Sequence, residues 1–397
     1  MSTTTDPELV QKPTIGTVLG EQTPVDSKQQ SVAPSAIPSR ASSFKSARSI
    51  AVDSPPTGPR RTPIPAPLST CRPAPQPALT SEQATKYAAL LSTVSAWTVI
   101  PTTSARNAPS AAITDAERMW LTRECLLRYL RATKWSPTEA PKRLLATLTW
   151  RREYQLDTFT PEYISPENET GKQIILGYDN DARPCLYLNP GKQNTKKSER
   201  QIQHLVFMLE RVVEMMGPGQ ETTALLINFK ESSSGSAPSV GQGRQTLTIL
   251  QGHYPERLGR ALISELPWYI TTFFRLISPF IDPVTKSKMK FNEPLSNHVP
   301  SSQLWSQYGG KLDFEYDHAT YWPALWKTCQ ERVAAYKSRW ERAGKKVGEF
   351  EEYLRGGEQP SVEGVMNETP VAMVNGLGGG KDLNGMVAGM GNLKVGE

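Results

Sequence analysis

YPERLGRALISELPWYITTFFRLISPFIDPVTKSKMKF, residues 254–291, decides how the rest of the chain is read. It opens on a charged turn and rises into a short apolar run, Ala261 to Leu266, of strand length and bounded by polar residues. A helix-length segment follows, carrying Trp268, Tyr269, Ile270, Phe273, Phe274, Leu276, Ile277, Phe280 and Ile281, with Arg275 as its one charge. So much aromatic surface on one helix predicts a large hydrophobic object on its inner side. Asp282 and Pro283 then read as the N-cap and first position of a second short helix, which carries Thr285 and Lys288.

Around this segment the composition divides the 397-residue chain. The first eighty residues hold 14 of the 33 prolines and almost no aromatics, so residues 1–80 are expected to stay unfolded as a Pro/Ser-rich head. Residues 358–397 end in NGLGGGKDLNGMVAGMGNLKVGE and read as a flexible, Gly-rich tail. All nine tryptophans fall between 81 and 357, which is expected to hold the globular part and a cavity. The net charge of +6 suits an anionic membrane surface or a phosphorylated ligand. No Lys/Arg cluster interleaved with aromatics argues for nucleic acid. Cys71, Cys125, Cys185 and Cys329 are scattered, and His204, His253, His298 and His318 lack ligand spacing, so neither a disulfide framework nor a metal site is expected. No apolar run reaches the length of a membrane span, and the N-terminus shows no signal peptide or myristoylation site.

Tetrads of the S/T-x-x-E/Q form mark helix starts at Thr80/Gln83, Thr114/Glu117 and Ser198/Gln201, and Ser136-Pro137 with Glu139 marks another. The helix from Thr114 is expected to run through LLRYLRATKW. That from Ser198 carries Leu205, Leu209, Val212, Val213 and Met216 on one stripe. From Gly171 onward GKQIILGYD, PCLYLNP, ETTALLINFKE and ALISELP read as strands, with a helix over SVGQGRQTLTILQGHY. The expectation is an α/β fold: a helical lobe over 81–155, a sheet domain over 156–315 and a helical extension over 316–357.

Three blocks, LLRYLRATKWSPTEA, TALLINFKE and YPERLG through TKSK, resemble the Sec14-like lipid-transfer proteins of the CRAL-TRIO fold. The resemblance runs from about 115 to 312. It implies a mixed sheet flanked by helices enclosing a lipid cavity, and a phosphatidylinositol head group held by Glu256, Thr285, Lys288 and Lys134. At the basic pair the chain reads Thr133-Lys134, so only Lys134 is retained. Chemistry agrees: a phosphodiester wants a cation and hydroxyl or backbone donors, and inositol hydroxyls want a carboxylate. A surface salt bridge is the alternative for each. Where phosphatidylcholine-carrying members have Ser and Thr, this chain has Thr223 and Leu225, and Leu cannot donate to a phosphate. The wording LLRYLRATKW and WRREY is similar to a fungal subgroup linked to phosphatidylinositol transfer, sterol homeostasis and azole tolerance, which implies a sterol-like second ligand.

A carrier needs an apolar cavity and a door, because each methylene exposed to water costs about 0.8 kcal/mol. The segment Pro267 to Phe280 reads as that door, a gate helix whose key residues are Trp268, Tyr269, Phe273, Phe274, Ile277 and Phe280. An ordinary core helix is the alternative. GxSxG, P-loop, HExxH and paired-Cys patterns are absent, so no enzyme, catalytic residue, metal or cofactor is expected. The reading is a monomeric, cytoplasmic protein, peripheral on membranes such as endoplasmic reticulum, lipid droplets or the cell periphery. Its alternative is a lipid-gated adaptor presenting phosphatidylinositol to a lipid kinase.

Overall fold

Five strands form one sheet in the order β3-β4-β5-β6-β7: Gln173–Tyr178, Pro184–Leu188, Thr223–Asn228, Leu258–Ser264 and Met289–Phe291. β3 is antiparallel to β4, and every later pair is parallel. The computed structural model describes residues 58–233 and 239–368. The strand order follows chain order, and right-handed crossovers then place all the intervening helices on one face. These helices are α6 (Glu199–Glu214), α7 (Val240–His253), α8 (Trp268–Ile277) and α9 (Pro283–Ser287). Register puts Leu188, Leu225 and Ile227 on one common face, half-buried and apolar. The opposite face carries Cys185, Tyr187, Leu226 and Leu262, all buried.

The helical lobe before the sheet comprises α1 (Ser81–Ser95), α2 (Asp115–Trp120), α3 (Arg123–Ala132) and α4 (Glu139–Glu153). A small antiparallel ribbon, β1 (Val99–Pro101) and β2 (Ser110–Ala112), sits among them, and α5 (Pro161–Asn168) leads into the sheet. Thr80 and Gln83 satisfy each other's backbone at the start of α1, and Thr114 and Glu117 do so at α2, as the spacing predicts. The single helix expected from Thr114 is instead two. Thr122 caps Cys125 N–H and restarts the helix as α3, because Leu121 leaves the helical region (φ −79°, ψ 61°). Ser198 precedes α6 without making a side-chain cap.

Two expected boundaries need correction. Residues 58–80 were assigned to an unfolded head, yet they lie against the sheet domain. Arg60 bridges to Phe314, Arg61 pairs with Glu315, the Tyr178 hydroxyl donates to Pro65 O at 3.2 Å, and Cys71 is buried. A proline-rich segment still docks when folded neighbours supply the donors its own carbonyls need. The tail likewise begins later, since α12 (Val362–Glu368) follows residue 358 and Val362 N–H donates to Glu349 Oε1 at 2.9 Å. The remainder of the expected head (1–57) and tail (369–397) lies outside the described residues.

The C-terminal helix α10 (His318–Arg342) joins the main core through Tyr321, Trp322, Leu325 and Cys329, and α11 (Glu351–Leu354) follows it. The Tyr321 hydroxyl donates to Ile175 O at 2.8 Å and accepts from Ile175 N–H at 2.7 Å, covering the outer edge of β3. Glu351 of α11 is the focus of a buried charge cluster. Its Oε1 accepts from Arg128 of α3 and from Thr122, at 2.7 and 2.8 Å, while Arg128 also pairs with Glu221 at 2.7 Å. Arg355 and Arg257 stand 3.7 and 3.9 Å from the Glu351 carboxylate. Burial alone would raise the Glu351 pKa, but the three arginines outweigh it and hold the carboxyl well below its usual range.

Two predictions follow from these contacts. Glu351→Gln keeps the shape but leaves three arginines facing one another in a buried site. It should cost about 3–5 kcal/mol by urea unfolding with an unchanged slope; a loss below about 1 kcal/mol would show the cluster to be dispensable. His253, at the end of α7, stacks on Trp150 of α4 at 4.1 Å and bonds Thr147 at 3.1 Å through Nδ1. Burial, helped by Arg143 and Arg151, lowers its pKa to about 4. Between pH 6.5 and about 4 the unfolded chain therefore takes up a proton that the native state refuses, so stability falls with pH across that window, by about 1–2 kcal/mol at this half-exposed site. His253→Phe keeps the stack and should flatten the stability profile there; parallel profiles would refute the assignment.

Candidate functional site

Glu256 and Lys288 meet at the amino ends of adjacent parallel strands. Glu256 lies in the turn between α7 and β6, in a left-handed conformation (φ 57°), two residues before the strand begins. Lys288 is the C-cap of α9 and directly precedes β7. Its ammonium donates to Leu258 O at 2.6 Å, and its carbonyl accepts from Ala261 N–H at 2.9 Å, tying it to β6. Half-burial lowers the Lys288 pKa, against the opposing pull of Glu256 and Asp282, and Arg183 and Arg131 lower it further. Three cations, Lys288, Arg131 and Arg183, thus stand near one another, Arg131 paired with Glu221 and Glu256 and Arg183 with Asp179 and Asp181.

Thr285 is positioned by the cap expected from Asp282-Pro283. Asp282 Oδ1 accepts the Thr285 N–H at 2.8 Å, with Pro283 at the first helical position. Lys134, by contrast, stands exposed just past the end of α3, with no polar side-chain partner among the described residues. Its neighbour Arg131 reaches the site instead. Arg131 forms a charge-assisted bond to Glu256 through Nε and contacts Glu221 at 3.2 Å. Glu256 thus makes a salt bridge to Arg131. Sequence reading missed Arg131, although it stands in the same LLRYLRATK block; spacing along α3 does not say which of its arginines faces the turn at 256.

The apolar segment sorts into two faces. Ile270 and Ile277 are buried, and Phe273 and Phe274 are half-buried, Phe274 packing edge-on against Phe229 and Phe291. At Gly243 of α7 an added Cβ would stand 2.7 Å from Phe273 Cζ, so glycine permits the close seat of α8 on α7. Trp268, Leu276 and Phe280 face outward, Trp268 being 79% exposed. Polar ties hold both ends: Tyr269 Oη lies 2.8 Å from Ser232 Oγ, and Gln251 Nε2 donates to Phe280 O at 3.0 Å.

A cavity of about 1030 Å³ opens elsewhere, between the lobe, α6 and α10–α11, lined by Trp120, Arg151, Glu210, Arg211, Tyr336 and Arg355 among others. No residue from 267 to 280 lines it. α8 itself is seated on α7 at Gly243 and on the sheet through Phe229 and Ile263. On the sheet face that carries Leu188 and Leu225, Gln173 lies opposite Leu188, and its amide bonds His204 Nδ1 of α6 at 3.3 Å. His204 Nε2 and Gln173 Oε1 are buried without hydrogen-bond partners among the described residues, and burial keeps the His204 pKa far below its ordinary value. Thr223 Oγ1 donates to Pro184 O at 2.9 Å and is already engaged.

Comparison with known proteins places this geometry in a family. The CRAL/TRIO domain matches residues 168–310, and the CRAL/TRIO N-terminal domain matches residues 86–146. The chain is 52% identical over 305 residues to the CRAL-TRIO domain-containing protein C23B6.04c of Schizosaccharomyces pombe, covering 77% of this chain and 30% of that protein. It is 42% identical over 248 residues to the phosphatidylinositol transfer protein PDR17 of Saccharomyces cerevisiae, covering 59% and 71%. It is 30% identical over 214 residues to the SEC14 cytosolic factor of Candida glabrata, covering 48% and 71%. No helix among the described residues is long and apolar enough to cross a membrane. With its five-stranded, mostly parallel sheet, its helical lobe and these matches, the chain belongs to the CRAL-TRIO family.

Proposed function

We propose that this protein binds phosphatidylinositol and exchanges it between membranes. The observation that carries the reading is the meeting of Glu256 and Lys288 at the amino ends of β6 and β7, with Thr285 on the capped turn that delivers Lys288. Lys288 suits the phosphodiester, and Glu256 suits the inositol hydroxyls. Lys134 is exposed just past the end of α3, and its part in the head-group site rests on the family resemblance. The name of the yeast relative with 42% identity points the same way.

α8 serves in this reading as the gate. Its inner face rests on a small cluster, Phe229, Ile263 and Ile270, separate from the main core, and its N-cap is Pro267, which makes no side-chain cap. A helix so lightly fastened can swing out and uncover the apolar face that carries Leu188, Leu225 and Ile227. A second, sterol-like ligand fits the same face. With Nδ1 accepting from Gln173, His204 Nε2 carries the proton and donates, while Gln173 Oε1 accepts, and one hydroxyl can satisfy both. Phosphocholine fits poorly, since Thr223 is engaged and Leu225 offers no donor.

Mass spectrometry of lipids extracted from the purified protein should find phosphatidylinositol. In vesicle transfer, Lys288→Ala with Lys134→Ala should slow phosphatidylinositol movement about tenfold or more, roughly the loss of one charge-assisted contact. Circular dichroism should be unchanged, and transfer of phosphatidylcholine by the unaltered protein should be weak. Wild-type transfer by the double variant would remove the head-group assignment. Amide exchange should quicken along 268–280 when vesicles are added, while β5 stays protected; a helix as protected as β5 in both conditions would be core and not a gate.

A further inference from the structure

We infer that Arg131 of α3 sets the specificity of the head-group hollow: by engaging Glu256 it keeps the Lys288 ammonium open to an anion. This deepens the head-group reading proposed above and rests on it. Two carboxylates act on Lys288, those of Glu256 and Asp282. Were either to close on the ammonium as an ion pair, little of its charge would remain for a phosphodiester. Neither does. Lys288 forms no ion pair among the described residues, and its ammonium donates at 2.6 Å to a neutral carbonyl, Leu258 O. An ammonium carries three donors, so two remain.

Each carboxylate is drawn off by a different element. Asp282 Oδ1 accepts the Thr285 N–H at 2.8 Å, and its Oδ2 accepts from Gln251 Nε2 of α7 at 3.5 Å. Glu256 Oε2 takes the charge-assisted bond from Arg131 Nε, while its Oε1 has no hydrogen-bond partner among the described residues. Arg183, the other cation acting on Lys288, is itself paired with Asp179 and Asp181. Arg131 is held for this task by Glu221, which contacts it at 3.2 Å while pairing with Arg128 at 2.7 Å. Without Arg131, Glu256 keeps its attraction to Lys288 and loses its competing partner, so the two close on each other and shut the anion out. Arg131 is thus a positioning residue that acts through Glu256 and Lys288. It selects for a head that carries both a phosphate and hydroxyls, since Lys288 stays open to the first and Glu256 Oε1 to the second.

The test compares Arg131→Gln, Glu256→Gln and the double variant, each as the full chain. In vesicle transfer Arg131→Gln should slow phosphatidylinositol about tenfold, roughly the worth of one charge-assisted contact. Adding Glu256→Gln should reverse most of that loss and bring the double variant level with Glu256→Gln alone, because no carboxylate is left there to close on Lys288. A role confined to fastening the lobe to the sheet gives no such rescue. Competitive acetylation with acetic anhydride, read by mass spectrometry on lipid-free protein, follows Lys288 directly. Lys288 should label more slowly in Arg131→Gln and faster in Glu256→Gln, since Arg131 opposes its charge and Glu256 supports it. Glu256→Gln leaves the Glu221 contacts intact, so its labelling tests the division of charge even where Arg131→Gln weakens the fold. Parental transfer by Arg131→Gln, a double variant no faster than Arg131→Gln, or unchanged Lys288 labelling would each overturn the inference. The expected labelling shifts in a protein that moves no phosphatidylinositol would fault the head-group reading alone.

Discussion

The buried charge cluster at Glu351 is the constraint on which the rest of the arrangement depends. A carboxylate with almost no exposure accepts bonds from Arg128 and Thr122 of the lobe and stands within 4 Å of Arg257 and Arg355. Each of these groups would be costly to bury alone, so each is stable only when the others are in place. Glu221, one residue upstream of Thr222 and the β5 strand, extends the cluster by holding Arg128 and Arg131 together. Four separate stretches of chain are thereby fixed to one another: α3, the approach to β5, the approach to β6, and α11. A lobe that simply leaned on the sheet through apolar contacts could slide; one held through directional bonds to charged atoms has a single register.

That register reaches the candidate head-group site through one residue. Arg131 is one helical turn beyond Arg128 on α3, so whatever fixes Arg128 also fixes Arg131, and Arg131 in turn holds Glu256. Glu256 adopts a left-handed backbone that a non-glycine residue enters at a cost, and the ion pair from the lobe is the visible compensation. The site thus has a rigid side, built from the lobe and the amino ends of β6 and β7. It also has a lighter side, α8 and α9, held by a small aromatic cluster and a few polar ties.

Much of this was legible in the sequence. The capping tetrads at Thr80 and Thr114 and the Asp282-Pro283 start announced their helices because the bonds involved are local, within three residues. Ser239 and Gln242 form a further capping box at the start of α7, one that the tetrads read above do not include. Sequence reading failed where the deciding partner is distant. Thr122 restarts a helix that looked continuous, and its hydroxyl is spoken for by Glu351, 229 residues away. The segment 58–80 looked unfoldable by composition, since it has few apolar side chains of its own. It docks because Tyr178 donates to Pro65 O and Arg60 continues a strand-like bridge to Phe314. Arg131 could not be preferred over Lys134 from spacing alone, because both lie near the end of the same block.

The two-sidedness of the sheet domain follows from chain order. With every crossover on one face, the helices α6 to α9 form a single layer, and α8 lies on the last crossover, between β6 and β7. The aromatic residues were placed on that last crossover, where a helix can leave the sheet without breaking any strand pairing. Its far end runs into α9 and so into Lys288, which means that the proposed gate is continuous in sequence with the cation of the proposed head-group site. Ala261 N–H holds the Lys288 carbonyl and Leu258 O holds its ammonium, so Lys288 is anchored to β6 while α8 is not. In the proposed gating, motion of the helix would pivot on that anchor, opening the acyl side while the charged end keeps its place. A lipid leaving such a site would part first from its apolar contacts at the bilayer, where the cost of exposing methylenes vanishes, and last from the groups that recognise its head.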